Sequence, residues 1–483
     1  MTEKPDRKER LDRFKAAASD LLGEKFVIAD PDGKSHYEKE WRGRYQPKCA
    51  FVLRPGSTEE VSKILALANE YEVPVIPQGG NTGLVAGGVP FEGGDEVILS
   101  LGRMNKIRDL DPDNFTMTVE AGCVLQNLQE AAEEADRLFP LSLGAEGTCQ
   151  IGGNLSTNAG GIHVIRYGNT RDLVLGLEVV LADGRIWNGL RGLRKDNTGY
   201  DMKHLFIGGE GTLGVITAAV LKLFPQPRET AVAFVAVPSP EAALTLLGRM
   251  RAGTGDAVKA FELIPRQALD FALEYVEGVK DPLESPSDWY VLTEITSGKK
   301  DSGIGEAMEE ILAAAFEEEI VTDATIAASE GQAKELWYIR EAIVEAQIPA
   351  GGSIKHDVSV PVSSVPAFLK EGLALVEKLV PGIRPVAFGH MGDGNIHFNL
   401  TQPEGADRDA YLARWDEVND AVHDLVVKRF GGSISAEHGL GRMKVEENER
   451  FKSEIEIGMM RDLKKLFDPK GILNPGKVVR IPE

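Results

Sequence analysis

Residues 205–227 read LFIGGEGTLGVITAAVLKLFPQP, and the fold turns on the residues after the glycines. Gly209, Gly211 and Gly214 satisfy the G-x-G-x-x-G fingerprint of a dinucleotide-binding Rossmann turn, behind a strand-like LFI. That fingerprint works only where a helix starts at the glycines, so that its N-terminal dipole meets a pyrophosphate. Here the next eleven residues, VITAAVLKLFP, are rich in Val, Ile and Thr and end at Pro225. β-branched residues at this density favour a strand. The reading is therefore a strand, and the Rossmann fold is set aside.

Outward from this stretch, the 52 glycines crowd into residues 79–94, 144–161, 208–214 and 387–394. Between the clusters lie short β-branched runs such as VPVIP, EVILSL and TMTVEAG, with helical patterns beside them. In STEEVSKILALANEYE, Ser57 caps a turn carrying Glu59 and Glu60, and Val61, Ile64, Leu65 and Leu67 recur at helical spacing. The fold class is α+β. Past the prolines at 225 and 227 the pattern changes to strand, helix, strand with longer helices, SPEAALTLLGRM and EGQAKELWYIREAIVEA among them. The chain divides into four segments: a helical arm (1–44), a Gly-rich domain (45–225), a second α+β domain (226–425) and a C-terminal segment (426–483) whose helix stops at Asp468-Pro469.

Among 483 residues, 54 basic against 75 acidic side chains give a net charge of −21. Such a surface repels nucleic acid and anionic membranes, so any anionic substrate needs a local basic pocket. Cys49, Cys123 and Cys149 are too few and too widely spaced for a disulfide framework, which points to a reducing compartment. With no apolar leader and no run of 18 apolar residues, the expectation is a cytoplasmic protein without a membrane span.

Two groups of segments carry chemistry. In PVIPQGGNTGL (74–84), a strand broken by Pro77 leads into Gln78-Gly79-Gly80-Asn81-Thr82-Gly83, whose backbone N–H groups can form an anion-binding nest. CQIGGNLSTNAGG (149–161) reads as a second loop of small hydrogen-bonding residues, and KDNTGYD (195–201) as a third. Three such loops in one domain favour a nucleotide cofactor. The second group lies further on. FGHMGDGNIHFNL puts His390 at the end of one strand and His397 on the next, across a hairpin turn, with Asn399 on the face of His397. SAEHGLG then sets Glu437 beside His438. Two imidazoles and a carboxylate make a divalent-metal site with an open position; a core histidine and a surface Glu-His pair are the alternative.

Taken together, QGGNTG, IGGNLSTNAGG, RKDNTGYD, GGEGTLGVIT and DPKGILNP resemble, in this order over residues 45–480, the PCMH-type flavoproteins typified by vanillyl-alcohol oxidase and the FAD-linked D-2-hydroxyacid dehydrogenases. The resemblance implies a two-lobed FAD-binding domain at 45–225, an α+β substrate (cap) domain at 226–425, and a C-terminal segment that returns to the FAD domain. It assigns to FAD the residues Pro77, Gln78, Gly79, Gly80, Asn81, Thr82, Gly83 and Leu84, then Gly144, Gly147, Thr148, Gly152, Gly153, Asn154, Thr157, Asn158, Gly160 and Gly161, then Gly211, Val215, Ile216, Glu437 and Asn474. Members that bind flavin covalently use a histidine near the first loop; Gly79, Gly80 and Asn81 stand here, which implies dissociable FAD.

HxGDGNxHxN and SxEHGxG resemble the D-2-hydroxyglutarate dehydrogenase branch. That implies His390, His397 and Glu437 as ligands of a divalent metal (Zn²⁺, with Mn²⁺ or Co²⁺ as alternatives), His438 as catalytic base and substrate contact, and Asn399 as a substrate contact. Arg340 in WYIREAI and Lys355 in SIKHDVSVP match the branch's cations for a two-carboxylate substrate; for Arg340 the alternative is an ion pair with Glu341 or Glu345 on its own helix. Val344 departs from the branch, whose members carry Thr one helical turn after the arginine. The implied activity is oxidation of a D-2-hydroxyacid, D-2-hydroxyglutarate foremost, with electrons passed to an electron-transfer flavoprotein or a quinone-linked protein. D-lactate or D-malate dehydrogenases, a glycolate oxidase-like enzyme and a non-catalytic FAD-binding subunit are the rivals; a homodimer is compatible with the sequence.

Overall fold

The computed structural model describes residues 6–482; the first five residues of the N-terminal arm lie outside them. The chain forms two compact units. The first runs to residue 159 and takes in 169–225 and everything from 437 onward; the second comprises 160–168 and 226–436. Residues 160–168 and 426–436, which the sequence reading assigns to the FAD domain and the C-terminal segment, thus pack with the second unit.

The stretch after the glycines is a strand. Val215–Lys222 lies at the centre of a five-stranded antiparallel sheet, ordered Ile107–Asp111, Thr116–Glu120, Val215–Lys222, Val174–Val180, Ile186–Gly189. The preceding glycines serve packing: a Cβ at Gly214 would stand 2.7 Å from Cγ1 of Val179. The first unit also holds a four-stranded sheet with a parallel core, Val27–Ile28, Cys49–Leu53, Glu96–Ser100, Val75–Gln78, and a two-stranded pair, Arg137–Leu138 with Phe224–Pro225. Helix Thr58–Tyr71 starts as expected, with Ser57 Oγ accepting the Glu60 N–H. It is tied to the other sheet through Thr58 Oγ1, which donates to the buried Glu178 carboxylate at 2.6 Å, where Arg108 and Thr217 also donate.

Two local expectations need correction. Pro77 does not break its strand; it sits inside Val75–Gln78, which ends the strand order, where a missing N–H costs no ladder bond. Residues Ile151–Thr157 form a short helix rather than a loop, ended by Asn158 in the left-handed region. Gly152 is needed there for close approach, since a Cβ would lie 2.7 Å from that of Ala121.

The second unit is one eight-stranded sheet between two helix layers. Its order is Asp323–Ile326, Glu229–Val237, Trp289–Ser297, Val258–Pro265, Arg384–His390, Asn395–Thr401, Ser353–Ile354, with Asp357–Ser359 also on Asn395–Thr401. Phe261, Leu263, Ile396 and Phe398 pack on one face with helices that include Pro240–Gly253 and Val365–Leu379. Ile264, Leu292, Val386 and Phe388 pack on the other face with Arg266–Tyr275 and Glu330–Ala346.

The three cysteines are free and buried, and burial pushes the Cys49 thiol up to about 12 and Cys123 to about 11. No helix among the described residues is long and apolar enough to cross a membrane. The tail helix Glu454–Phe467 ends as read, before Asp468. Lys464 Nζ, buried, donates to Asp468 Oδ2 (2.5 Å) and to the carbonyls of Thr212 and Leu473, while Asp468 accepts the N–H groups of Ile472 and Leu473. That clamp holds Leu473-Asn474 against strand Val75–Gln78, with Asn474 N–H on the Val75 carbonyl. Asp468→Ala leaves the Lys464 charge buried and unpaired, and is expected to cost roughly 3–5 kcal/mol, measured as a lower midpoint in urea unfolding.

Candidate functional site

The first unit contains a cavity of about 1040 Å³, mouth included. Its lining includes Pro77, Gln78, Gly79, Gly80, Asn81, Thr82, Gly83, Gly152, Gly153, Asn154, Thr157, Gly211, Val215, Ile216 and Asn474 from the residues assigned to FAD, and also His438. Each arrives for a local reason. Gln78 Nε2 donates to the carbonyls of Tyr37 and Gly88, which ties down both ends of the Gly79–Gly88 loop. Gly80 lets that loop touch the next one: a Cβ would lie 2.2 Å from the Thr148 carbonyl oxygen.

Two observations test the cavity against a large, polar, planar ligand. At Gly83 and Gly153 an added Cβ would meet no atom within 4 Å, so these backbones border open space. Asn154 Oδ1 and Gln150 Oε1 are buried without a hydrogen-bond partner among the described residues, acceptors that call for a donor from a bound molecule. The residues fit FAD. Leu84, Gly144, Gly147, Thr148, Asn158 and Glu437 are not in the lining, and Gly160 and Gly161 belong to the second unit. Asn158 serves the fold instead, its Oδ1 accepting the Arg171 N–H.

In the second unit, one face of the sheet carries His390, His397, Asn399 and Lys355. Arg384–His390 and Asn395–Thr401 form the expected hairpin, with Phe388 opposite His397 and Val386 opposite Asn399. Ile354 pairs with Leu400 and Asp357 with His397, so Lys355 stands opposite Asn399 in the same register. The rings of His390 and His397 lie 5.3 Å apart at 81°, with one nitrogen of each within 4.8 Å of the other's. Burial pushes the Asp393 carboxyl in the hairpin turn up to about 6, against the pull of His390.

Two residues here escape a reading of the sequence. Glu262, fully buried, faces His390 across the sheet: Oε1 accepts from His390 Nδ1 at 2.6 Å and Oε2 from Arg340 Nε at 2.7 Å. Burial alone would raise this carboxyl, yet His390 and Arg340 hold it at about 2. Because an ionised carboxylate only accepts, Nδ1 must carry the hydrogen, and in the neutral ring the lone pair is on Nε2. Glu262, not Glu341 or Glu345, is therefore the partner of Arg340, whose guanidinium also covers the Phe388 ring at 4.5 Å. Its Nη1 and Nη2 meet no acceptor among the described residues. The second residue is Gln347, whose Oε1 accepts from Asn399 Nδ2 at 2.8 Å and orients that amide. A glutamate within AFELIP looks like an ordinary strand residue, and only the register between two distant strands brings it to His390. Val344 is half exposed on its helix, while Arg340 is buried.

Glu437 and His438 lie in the first unit, a carboxylate oxygen and a ring nitrogen within 4.8 Å of each other.

Comparison with known proteins bears on the fold and the family. Residues 49–189 match the family described as "FAD binding domain" and residues 226–478 the family described as "FAD linked oxidases, C-terminal domain". The chain is 44% identical over 460 residues to "Probable D-2-hydroxyglutarate dehydrogenase, mitochondrial" of Oryza sativa subsp. japonica, covering 95% of this chain and 80% of that one. It is 40% identical over 453 residues to "D-2-hydroxyglutarate dehydrogenase" of Xanthomonas citri pv. viticola, with 93% of each covered. A solved structure of p-cresol methylhydroxylase with substrate bound has a TM-score of 0.78 at 17% identity, covering 98% of each chain, and so shares the fold. The chain belongs to the FAD-linked oxidase family and is an FAD-binding oxidoreductase.

Proposed function

We propose that this chain oxidises a D-2-hydroxyacid, D-2-hydroxyglutarate foremost, to the 2-oxoacid. The observation that carries the reading is Arg340: a buried guanidinium aimed by Glu262 through Nε, with Nη1 and Nη2 left for an anion, on a helix packed over the sheet face that bears Lys355 and Asn399. In a chain of net charge −21 this is the local basic pocket that an anionic substrate requires. Two cations suit two carboxylates, each a charge-assisted hydrogen bond. The relatives named as D-2-hydroxyglutarate dehydrogenases support the same choice.

We assign His390, His397 and Glu437 to a divalent metal, zinc by donor type. The support is the His390 ring, whose Nδ1–H is committed to a buried carboxylate, the arrangement that orients metal-ligating imidazoles. When bound, FAD supplies a hydride acceptor and the metal a Lewis acid for the hydroxyl oxygen. The chain's own part is then to bind and to move a proton. Arg340 and Lys355 hold the carboxylates, the Gln347-oriented amide of Asn399 fixes the substrate laterally, and His438, in the lining of the FAD cavity, takes the hydroxyl proton. Electrons leave through an acceptor protein, an electron-transfer flavoprotein or a quinone-linked enzyme, in a reducing compartment such as the cytoplasm, which suits three free thiols.

His438→Ala is expected to keep its flavin but lose anaerobic bleaching by D-2-hydroxyglutarate by a factor of about 100 or more; full bleaching at the wild-type rate would remove the base from the scheme. Arg340→Met and Lys355→Met should raise KM for D-2-hydroxyglutarate at least about tenfold more than for D-lactate; equal shifts would favour a monocarboxylate enzyme. Glu262→Gln permits the other imidazole tautomer, so metal retention against a chelator should weaken by about 10–100-fold, read by metal analysis of the purified protein.

A further inference from the structure

The first unit holds its own buried carboxylate, directed at backbone rather than at a cation. Glu210 lies within the glycine-rich stretch, with φ at +47°, a region non-glycine residues seldom occupy. Its side chain reaches the turn after His438: Oε1 accepts the Leu440 N–H at 2.7 Å and Oε2 the Gly441 N–H at 2.8 Å. Its backbone is fastened at both ends. The N–H donates to the Ser156 carbonyl on helix Ile151–Thr157, which lines the cavity, and the carbonyl accepts from Asn474 Nδ2 at 2.7 Å.

The turn has no slack on this clamp. Gly439 has φ +79° and a Cβ there would stand 2.8 Å from Glu210 Oε1. Gly441 has φ +51° and a Cβ there would stand 2.1 Å from the Val85 carbonyl oxygen. Only glycine can bring backbone N–H groups this close to the carboxylate and the neighbouring loop. Behind it, the buried Lys477 Nζ donates to the carbonyls of Gly87 and Val89 and to Asn474 Oδ1, so the loop, the tail and Glu210 form one connected network.

We propose that Glu210 is a positioning residue for the reaction: by gripping two consecutive amides of the Gly439–Gly441 turn it sets His438 in the FAD cavity. The carboxylate touches the turn and not the reacting atoms. Burial raises this carboxyl above its ordinary range, and the Leu440 and Gly441 N–H groups and the Lys477 and Lys444 charges offset only part of that. Each of the two side-chain oxygens accepts one N–H, and an amide, with a single oxygen, cannot serve both. A displacement of the base by about 1 Å is enough to lose about 100-fold in rate while leaving binding intact. This proposal rests on the reading of His438 as the base.

The test uses the FAD-loaded full chain. Glu210→Gln keeps size and shape but turns an NH₂ toward one of the two N–H donors. Three results are expected together: flavin content equal to wild type, KM for D-2-hydroxyglutarate within about threefold, and anaerobic flavin reduction slowed by about 100-fold. Amide hydrogen exchange should accelerate at residues 439–441 and stay unchanged in strand Val215–Lys222. Wild-type exchange at 439–441, or a loosened turn with an unchanged reduction rate, overturns the proposal. Gly439→Ala pushes the turn off the carboxylate by its methyl group, with residue 210 itself unchanged, and must give the same pattern; it stands in if Glu210→Gln does not fold. His438→Ala, measured alongside, separates the two readings. If it reduces its flavin at the wild-type rate, the assignment of the base has failed, whatever Glu210 does to the turn.

Discussion

The second unit depends on the bridge from Glu262 to His390 and Arg340. A carboxylate with no solvent exposure is tolerable only when both oxygens are satisfied by charged or strongly polar donors, and here one oxygen serves each partner. The consequence is geometric. The imidazole is held in one tautomer and one plane, and the guanidinium is held at its Nε edge, with its Nη groups on no acceptor among the described residues. Neither could be set so firmly by packing alone, because His390 stands at the end of its strand and Arg340 has a long, flexible side chain. Phe388, under the guanidinium, closes the remaining freedom.

The first unit solves a different problem by different means. It builds its cavity from backbone, and so relies on glycine where chains must pass at contact distance, as at Gly80 against Thr148 and Gly441 against Val85. Charged side chains are used there as internal fasteners. Glu210 takes backbone N–H groups, while Lys464 and Lys477 cap backbone carbonyls. Such groups satisfy buried amides that no sheet or helix reaches, which is how irregular chain can be held rigid around a ligand.

Much of this is legible in the sequence alone. The strand at 215–222, the hairpin between His390 and His397, the Ser57 cap and the helix ending before Asp468 all come from local period and turn chemistry. The loop of residues 79–83 can be read as an anion nest because consecutive small residues have few other uses. Local reading misjudges Pro77 and Ile151–Thr157, since edge position and close packing on Ala121 depend on neighbours far along the chain. It also offers Arg340 an alternative partner on its own helix, Glu341 or Glu345, and the actual partner is 78 residues distant.

The local pattern of the chain supplies the chemical groups and their immediate geometry: two histidines on paired strands, a Glu-His pair between glycines, an arginine on a helix, and glycine clusters that bring backbone to a ligand. These are short-range consequences of side-chain period, steric freedom and donor type. Long-range folding alone selects the buried carboxylates that govern them. Glu262 and Glu210 sit in stretches that locally look like an ordinary strand and an ordinary turn. Their roles come from register across a sheet and from a loop folded back over 230 residues of chain, pairings that no local pattern encodes.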